Sequence, residues 1–267
     1  MPTLPPEPTA PHEHRRMAES FGVDARRYDR NRPGYPAELV SRIVAASPGH
    51  SVLDVGCGTG IVARQFQALG CSVLGVDPDS RMAAYARDRG LPVEVSVFEQ
   101  WDPGGRLFDA VVAGQSWHWV DPVAGPAKAA SVLRPGGVFA VFNHVYVMPS
   151  EVASAFAELS RRIFPESAVR FDQTRRDPVG LYRTMFTRTA ENIRAVGGFG
   201  EPAHSRFDWA QAYPRAEFFE LLSTQGGLTQ ASPEQAAEFL SALGDALDGD
   251  SFTMSYATLA VVAVKTN

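Results

Sequence analysis

Residues 52–60 read Val52-Leu53-Asp54-Val55-Gly56-Cys57-Gly58-Thr59-Gly60, a short apolar run that passes into alternating glycines. The residues that follow carry Val62, Phe66 and Leu69 at helical spacing, so a strand is predicted to turn directly into a helix. Glycines lack a Cβ atom, which lets the backbone of such a turn approach a ligand and present N–H groups at a helix N-terminus. In open α/β sheets the first turn of this kind lies where ligands bind. This stretch therefore predicts both a fold class and a binding site.

Strand patterns recur after this stretch at short spacing, with helical patterns between them. We expect the first five strands over residues 51–55, 72–76, 93–97, 108–113 and 138–143. This rhythm is typical of a parallel sheet that is covered by helices on both faces. Two more strands are expected over 203–209 and 252–264, with a helix before the last one that begins at a capping box at Ser232. The predicted fold is α/β, a doubly wound, Rossmann-like sheet of seven mostly parallel strands.

The chain is predicted to form a single domain over residues 20–267, behind a disordered tail. Residues 2–11 hold five prolines and almost no core-forming side chains, which predicts disorder over 1–19. Between about residues 144 and 202 the strand rhythm gives way to helical patterns. We expect this region to be a helical insertion, or lid, above the carboxyl ends of the strands.

Composition excludes several classes of function. The formal net charge of −5 and the scattered arginines argue against a nucleic-acid partner, because binding to phosphates needs clustered basic residues. No apolar run is long enough to span a membrane, and the first residues do not resemble a secretory signal. Cys57 and Cys71 lack metal-ligand spacing, so we expect no metal site and a reduced, cytoplasmic protein. A monomer or a homodimer fits the sequence.

Glycine spacing distinguishes between two kinds of nucleotide-type ligand. Dinucleotide-binding turns carry G-x-G-x-x-G, whereas the third glycine of this chain comes one residue earlier. The pattern resembles motif I of the class I S-adenosylmethionine methyltransferases. Residues 28–36, Tyr-Asp-Arg-Asn-Arg-Pro-Gly-Tyr-Pro, resemble the Y-x-x-x-R-P-x-Y-P element of the type-11 group, which includes proteins similar to trans-aconitate methyltransferase. The resemblance is good over residues 20–145 and weak over 146–202.

The resemblance implies that S-adenosylmethionine binds and leaves as S-adenosylhomocysteine after in-line methyl transfer to a small molecule. Asp77, at the end of the second strand, is the candidate for the ribose hydroxyls; its alternative role is to cap the next helix. A family aspartate that contacts adenine is replaced by Val97, which puts that contact in doubt. The candidate cofactor-binding residues are Tyr28, Arg32, Asp54, Gly56, Cys57, Gly58, Gly60, Asp77, Pro78, Met82, Phe98, Glu99 and Gln115.

The candidate catalytic residues are His118, Tyr28 and Tyr35, with His144 as a weaker candidate for a general base. A histidine between Trp117 and Trp119 also fits simple packing, and Tyr35 could merely pin its segment to the core. The accepting atom, O, N, S or C, stays open, since alignment alone can supply much of the acceleration. The alternatives are a non-catalytic cofactor-binding protein, a nicotinamide oxidoreductase and a macromolecular methyltransferase. The glycine spacing disfavours the oxidoreductase, and the acidic charge disfavours the macromolecular enzyme.

Overall fold

The central sheet has seven strands, as predicted. The computed structural model describes residues 24–164, 177–224, 228 and 231–266, so the predicted tail over 1–19 lies outside the described residues. The strands are β1 (Ser51–Val55), β2 (Ser72–Asp77), β3 (Val93–Val95), β4 (Phe108–Gly114), β5 (Leu133–Val147), β6 (Ala203–Pro214) and β7 (Ser251–Val264). Their order across the sheet is β3-β2-β1-β4-β5-β7-β6.

The pairing directions confirm the mostly parallel, doubly wound sheet. Strands β1 to β5 pair in parallel, whereas β7 is antiparallel to both β5 and β6. The order reverses at β1, which is flanked by β2 and β4. Ligands of open α/β sheets bind at such a switch point, beyond the carboxyl ends of the strands. The glycine-rich turn that follows β1 therefore lies at this position.

Helices cover both faces of the sheet. They are α1 (Ala25–Asn31), α2 (Ala37–Ala46), α3 (Ile61–Ala68), α4 (Ser80–Asp88), α5 (Ala124–Val132), α6 (Ser150–Ile163), α7 (Pro178–Val196), α8 (Arg215–Ser223) and α9 (Pro233–Ala246). Apolar residues of α2, α3 and α4 form one core with one face of the sheet. Residues of α5 and α7 form a second core with the opposite face. The capping box predicted at Ser232 opens α9.

The region predicted as an insertion divides into parts with different positions. Residues 144–147 continue β5 because they pair with residues 255–258 of β7. Helix α7 buries Phe186, Ala190 and Ile193 in the same core as Phe139 of β5. Helix α7 therefore forms a layer that packs on one face of the sheet, whereas a lid was predicted for this region.

A third apolar cluster stands at the carboxyl ends of the parallel strands. It joins α6, α8 and α9 to the first half of β7, whose antiparallel direction brings Phe252 and Met254 to this end of the sheet. Phe156 of α6 and Phe239 of α9 meet edge to face with 4.8 Å between ring centroids. The helical cover over the strand ends is thus built mainly from α6, α8 and α9, two of which follow the predicted insertion.

Truncation of a core side chain tests the position of α7. Ile193 is fully buried, whereas Leu181 on the same helix is 46% exposed. We expect Ile193→Ala to lower the free energy of unfolding by about 2–5 kcal/mol, because it leaves a cavity against the sheet. Leu181→Ala should change it by less than about 0.5 kcal/mol. Urea unfolding measures both, and equal effects would contradict the packing of α7 on the sheet.

Candidate functional site

The turn after β1 has a backbone that only glycine adopts easily. Gly56, Gly58 and Gly60 have φ angles of +65°, +53° and +86°, in the left-handed region that L side chains rarely enter. A Cβ atom on Gly56 would lie 2.4 Å from Cβ of Ser116, whereas one on Gly58 would meet no atom within 4 Å. The turn is thus closely packed at Gly56 and open at Gly58, where a ligand has room.

The carboxylate of Asp77 holds this turn against the second strand. Its Oδ2 accepts the N–H of Gly58 at 2.7 Å, and its Oδ1 accepts the N–H of Asp79 at 2.9 Å. Asp79 caps α4, since its side chain accepts the N–H of Arg81. Asp79, and not Asp77, therefore caps this helix. Asp77 stands at the end of β2 beside the glycine turn.

Some buried polar atoms around the turn make no hydrogen bond to the described residues. They are Oγ1 of Thr59 and Oε1 of Gln115. The buried carboxylate of Asp54, on β1, interacts with the backbone N–H of Ala63. Desolvation by burial raises the pKa of Asp54 to about 7, and the nearby Asp77 charge raises it further. Burial also raises the pKa of Asp77 to about 6, opposed by the two N–H groups that it accepts. Buried polar groups without partners are costly, so this corner is suited to a polar ligand.

A cleft opens from the glycine turn towards β5 and β7. Its walls come from the turn, the segment before α2, the carboxyl ends of β4 and β5, α8 and the start of β7. The lining residues are Tyr28, Arg32, Pro33, Tyr35, Gly56, Cys57, Gly58, Thr59, Ile61, Val62, Gly114, Gln115, His144, Tyr146, Leu221, Met254 and Tyr256. The predicted Tyr28, Arg32, Tyr35, Gly56, Cys57, Gly58 and Gln115 are therefore brought together at one site.

Helix α1 crosses the mouth of this cleft between two anchors. Asp29 accepts hydrogen bonds from Arg64 of α3 and Tyr85 of α4, which ties one side of α1 to the glycine-turn half. On its other side Arg27 forms an ion pair with Glu220 of α8 at 2.8 Å. The two anchors place Tyr28 over the cleft.

His144, the weaker base candidate, is fixed by a chain of hydrogen bonds. Its Nε2 lies 3.2 Å from the carbonyl oxygen of Gly34, and its Nδ1 lies 2.9 Å from Oγ1 of Thr258. A carbonyl only accepts, so Nε2 carries the hydrogen and Nδ1 accepts the Thr258 hydroxyl, whose oxygen accepts the indole N–H of Trp209. Burial lowers the pKa of His144 to about 4. The ring stacks on Tyr35 at 4.2 Å and so supports the segment before α2.

His118 lies outside this cleft lining. It is half-buried in the 3-10 turn Trp117–Trp119, with its ring centroid 4.5 Å from that of Trp119. Desolvation lowers its pKa to about 4, and its Nδ1 has no hydrogen-bond partner among the described residues. The imidazole is therefore neutral at pH 7, and its catalytic role stays a prediction.

The remaining candidate cofactor-binding residues, among them Pro78, Met82, Phe98 and Glu99, also lie outside the cleft lining. Phe98 is buried against Trp101 and Trp117, so its side chain belongs to the core. Oε1 of Glu99 accepts the N–H of Asp121 at 2.6 Å, and Pro78 is exposed on the turn before α4. Met82 is buried on the first turn of α4. Their contacts with a cofactor stay predictions.

Sequence reasoning missed Thr59, Tyr146, Leu221, Met254 and Tyr256, which also line the cleft. The last three lie in α8 and β7, far along the chain from the glycine turn. A signal existed in the alternation of Phe252, Met254 and Tyr256 along the final strand. It points to the cleft only once β7 is known to run antiparallel.

Comparison with known proteins identifies the family. The sequence model of a family described as a methyltransferase domain matches residues 28–164. The chain belongs to this methyltransferase family. It is 38% identical over 126 residues to an uncharacterised methyltransferase of Mycobacterium tuberculosis, which covers 46% of this chain and 51% of that protein. It is 36% identical over 100 residues to a ubiquinone biosynthesis O-methyltransferase of Bradyrhizobium, and this match covers 35% of this chain and 39% of that protein. The chain spans about half the length of the first curated relatives that it matches.

Solved structures share the fold of this family member. A protein assigned as a type II methyltransferase from Anaeromyxobacter dehalogenans superposes with a TM-score of 0.61 at 23% identity and covers 86% of this chain and 97% of its own. The phosphoethanolamine N-methyltransferase 2 of Haemonchus contortus gives a TM-score of 0.50 at 16% identity, and the match covers 93% of this chain and 60% of that protein. That structure is a complex with phosphomonomethylethanolamine and S-adenosylhomocysteine.

Neither a metal-binding cluster nor a membrane-spanning helix occurs among the described residues. In the part of the chain that the structure describes, no three His, Cys, Asp or Glu side chains form a group that could hold a metal ion. Over the same described ranges, no helix combines the length and apolar character needed to cross a membrane.

The pKa of Asp54 predicts how stability depends on pH. Because the folded pKa of about 7 lies above the ordinary 3.8, the ligand-free folded protein binds more protons than the unfolded chain between these values. The free energy of unfolding should therefore fall as pH rises from about 4 to about 7. Asp54→Asn should make this fall smaller, as measured by urea unfolding at several pH values. The same change at the exposed Asp248 is the control, and an unaltered slope in the Asp54 variant would contradict the buried, ionising carboxyl.

Proposed function

We propose that this chain transfers the methyl group of S-adenosylmethionine to a small-molecule acceptor. The observation that carries the proposal is the open left-handed turn at Gly58, tied to Asp77 at the switch point of a methyltransferase-family fold. The S-adenosylhomocysteine in the Haemonchus structure, which has this fold, supports the same ligand class.

The residues of the corner fit this cofactor. Open space over Gly58 leaves room for the ligand beside the backbone. Asp77 stands where a carboxylate can accept ribose hydroxyls, and the unpartnered atoms of Thr59 and Gln115 offer hydrogen bonds to polar groups. When bound, S-adenosylmethionine supplies a methyl group activated by a positively charged sulfur. Asp54, Gly56, Cys57, Gly60, Pro78, Met82, Phe98 and Glu99 complete the proposed cofactor shell.

The lining side chains favour alignment over proton transfer. Burial raises the pKa of Tyr35 well above its ordinary value, so this side chain is a phenol at neutral pH and can donate a hydrogen bond. Both ring nitrogens of His144 are occupied by Gly34 and Thr258. Holding acceptor and methyl donor in line is a mechanism that this cleft supports, since alignment can be worth about 7–11 kcal/mol. Tyr28, Tyr35 and His118 are the proposed contacts with the reacting groups.

Cellular setting and assembly belong to the same proposal. Cys57 and Cys71 are buried free thiols, which supports a reducing cytoplasm. The net charge of −5 disfavours nucleic acid as the acceptor. A monomer or a homodimer acting on a small molecule fits these features.

Substitution at the glycine turn tests cofactor binding. Gly58→Val adds a branched side chain in the space over the turn, at a φ of +53°, and should weaken S-adenosylhomocysteine binding by more than about tenfold, or about 1.4 kcal/mol. Gly70→Val is a matched control, because Gly70 also has a positive φ and open space but lies at the end of α3, outside the cleft lining. Calorimetry gives both affinities and circular dichroism checks folding. Equal affinities for the two variants would remove the turn from the site.

Turnover is tested by an acceptor screen. Small acids, phenols, amines and thiols are incubated with S-adenosylmethionine, and release of S-adenosylhomocysteine is scored together with the methylated product. We expect release with at least one class and loss of that release in Gly58→Val. Tight cofactor binding without release in any class would favour the alternative of a non-catalytic binding protein.

A further inference from the structure

Arg32 places a guanidinium in the lining of the cleft. Its Nη2 donates to the carbonyl oxygen of Thr224 at 2.7 Å, and its guanidinium lies 5.0 Å from the ring centroid of Tyr28. Its Nε is buried and has no hydrogen-bond partner among the described residues, and no described Asp or Glu forms an ion pair with it. A partly buried cation with an unused donor is costly unless an anion joins it.

Several titratable aromatic side chains are affected by the charge of this guanidinium. Its charge lowers the pKa values of Tyr35, His144, Tyr146, Tyr213 and Tyr256, against the larger effects of burial on the tyrosines. Tyr146 and Tyr256 are directly opposite each other on β5 and β7. The guanidinium therefore acts on the end of the sheet formed by β5, β7 and β6.

This end is remote from the proposed ribose site. Asp77 ends β2, and β7 is four strands further across the sheet, or about 19 Å at about 4.8 Å per strand. The glycine turn after β1 lies between them. A cofactor with its sugar at Asp77 and its sulfur near the turn places Arg32 on the opposite, acceptor side of the cleft.

We propose, on the basis of the proposed methyl transfer, that the acceptor is a monoanion with an apolar or aromatic body. Its carboxylate-type anion pairs with Arg32, which offers the planar geometry that guanidinium and carboxylate groups share. Its body lies against Tyr146, Leu221, Met254 and Tyr256. Arg32 is the single Lys or Arg among the described cleft-lining residues, so a second negative charge on the acceptor has no counterpart there.

Acid and amide pairs test this acceptor class. Benzoate, phenylacetate and octanoate, each with its neutral amide, are titrated by calorimetry into the protein, both alone and saturated with S-adenosylhomocysteine. At least one acid should bind about 10-fold to 100-fold more tightly than its amide, the value of a hydrogen bond to a charged group. If no acid binds more tightly than its amide, the proposal is overturned.

Variants of Arg32 assign the preference to this residue. Arg32→Met should bind acid and amide alike, and Arg32→Lys should retain part of the preference because it keeps the charge. Arg30→Met is the matched control, since Arg30 lies on α1 two residues before Arg32 and pairs with Glu220 outside the cleft lining. Circular dichroism confirms folding of each variant. A preference that survives in folded Arg32→Met would overturn the assignment.

The carboxylate of the cofactor is the competing source of the anion. Its contribution is measured by comparing S-adenosylhomocysteine with its decarboxylated analogue. If Arg32→Met weakens binding of the first but not of the second, Arg32 serves the cofactor and the acceptor assignment is wrong. Failure of the wild-type protein to bind S-adenosylhomocysteine would instead refute the proposed function. The preference for acid over amide, measured on the protein without S-adenosylhomocysteine, would still test the anion site at Arg32.

Discussion

The hydrogen bond from the N–H of Gly58 to the carboxylate of Asp77 is the contact on which the site depends. It joins the turn after β1 to the end of β2 at 2.7 Å, directly beside the point where the strand order reverses. A second hydrogen bond, from the N–H of Gly56 to the carbonyl oxygen of Val76 at 2.8 Å, joins the same two segments at the start of the turn. Together they hold a left-handed backbone open at Gly58, which a sequence with side chains at these positions could not maintain without strain.

This corner was predictable because its causes are local. Alternating glycines after an apolar strand specify the backbone conformation, and the next strand must end beside them in a parallel sheet. Asp77 could therefore be singled out as the carboxylate beside the turn. The capping box at Ser232 was also local, because each of its two hydrogen bonds spans three residues.

The opposite wall was not predictable in the same way. Tyr146, Met254 and Tyr256 meet only because a long β5 pairs with an antiparallel β7, and strand direction is not encoded in the residues of one segment. Helix α7 was misplaced for a related reason. Its periodicity shows which face is apolar, but only the tertiary structure shows that this face covers the sheet. Arg32 was a candidate from its motif, yet the Thr224 carbonyl oxygen that it contacts lies 192 residues further along the chain.

Because successive residues of β7 point to opposite sides of the sheet, its two faces have separate roles. Met254, Tyr256 and Thr258 share one face, which runs from the cleft wall to the support of His144. Leu259 and Val261 share the opposite face and pack in the core with α7. A strand with this arrangement can accumulate changes at alternate positions that reshape the pocket while the layer beneath α7 is preserved. Diversification of ligand preference and conservation of folding can thus proceed along one segment of the chain.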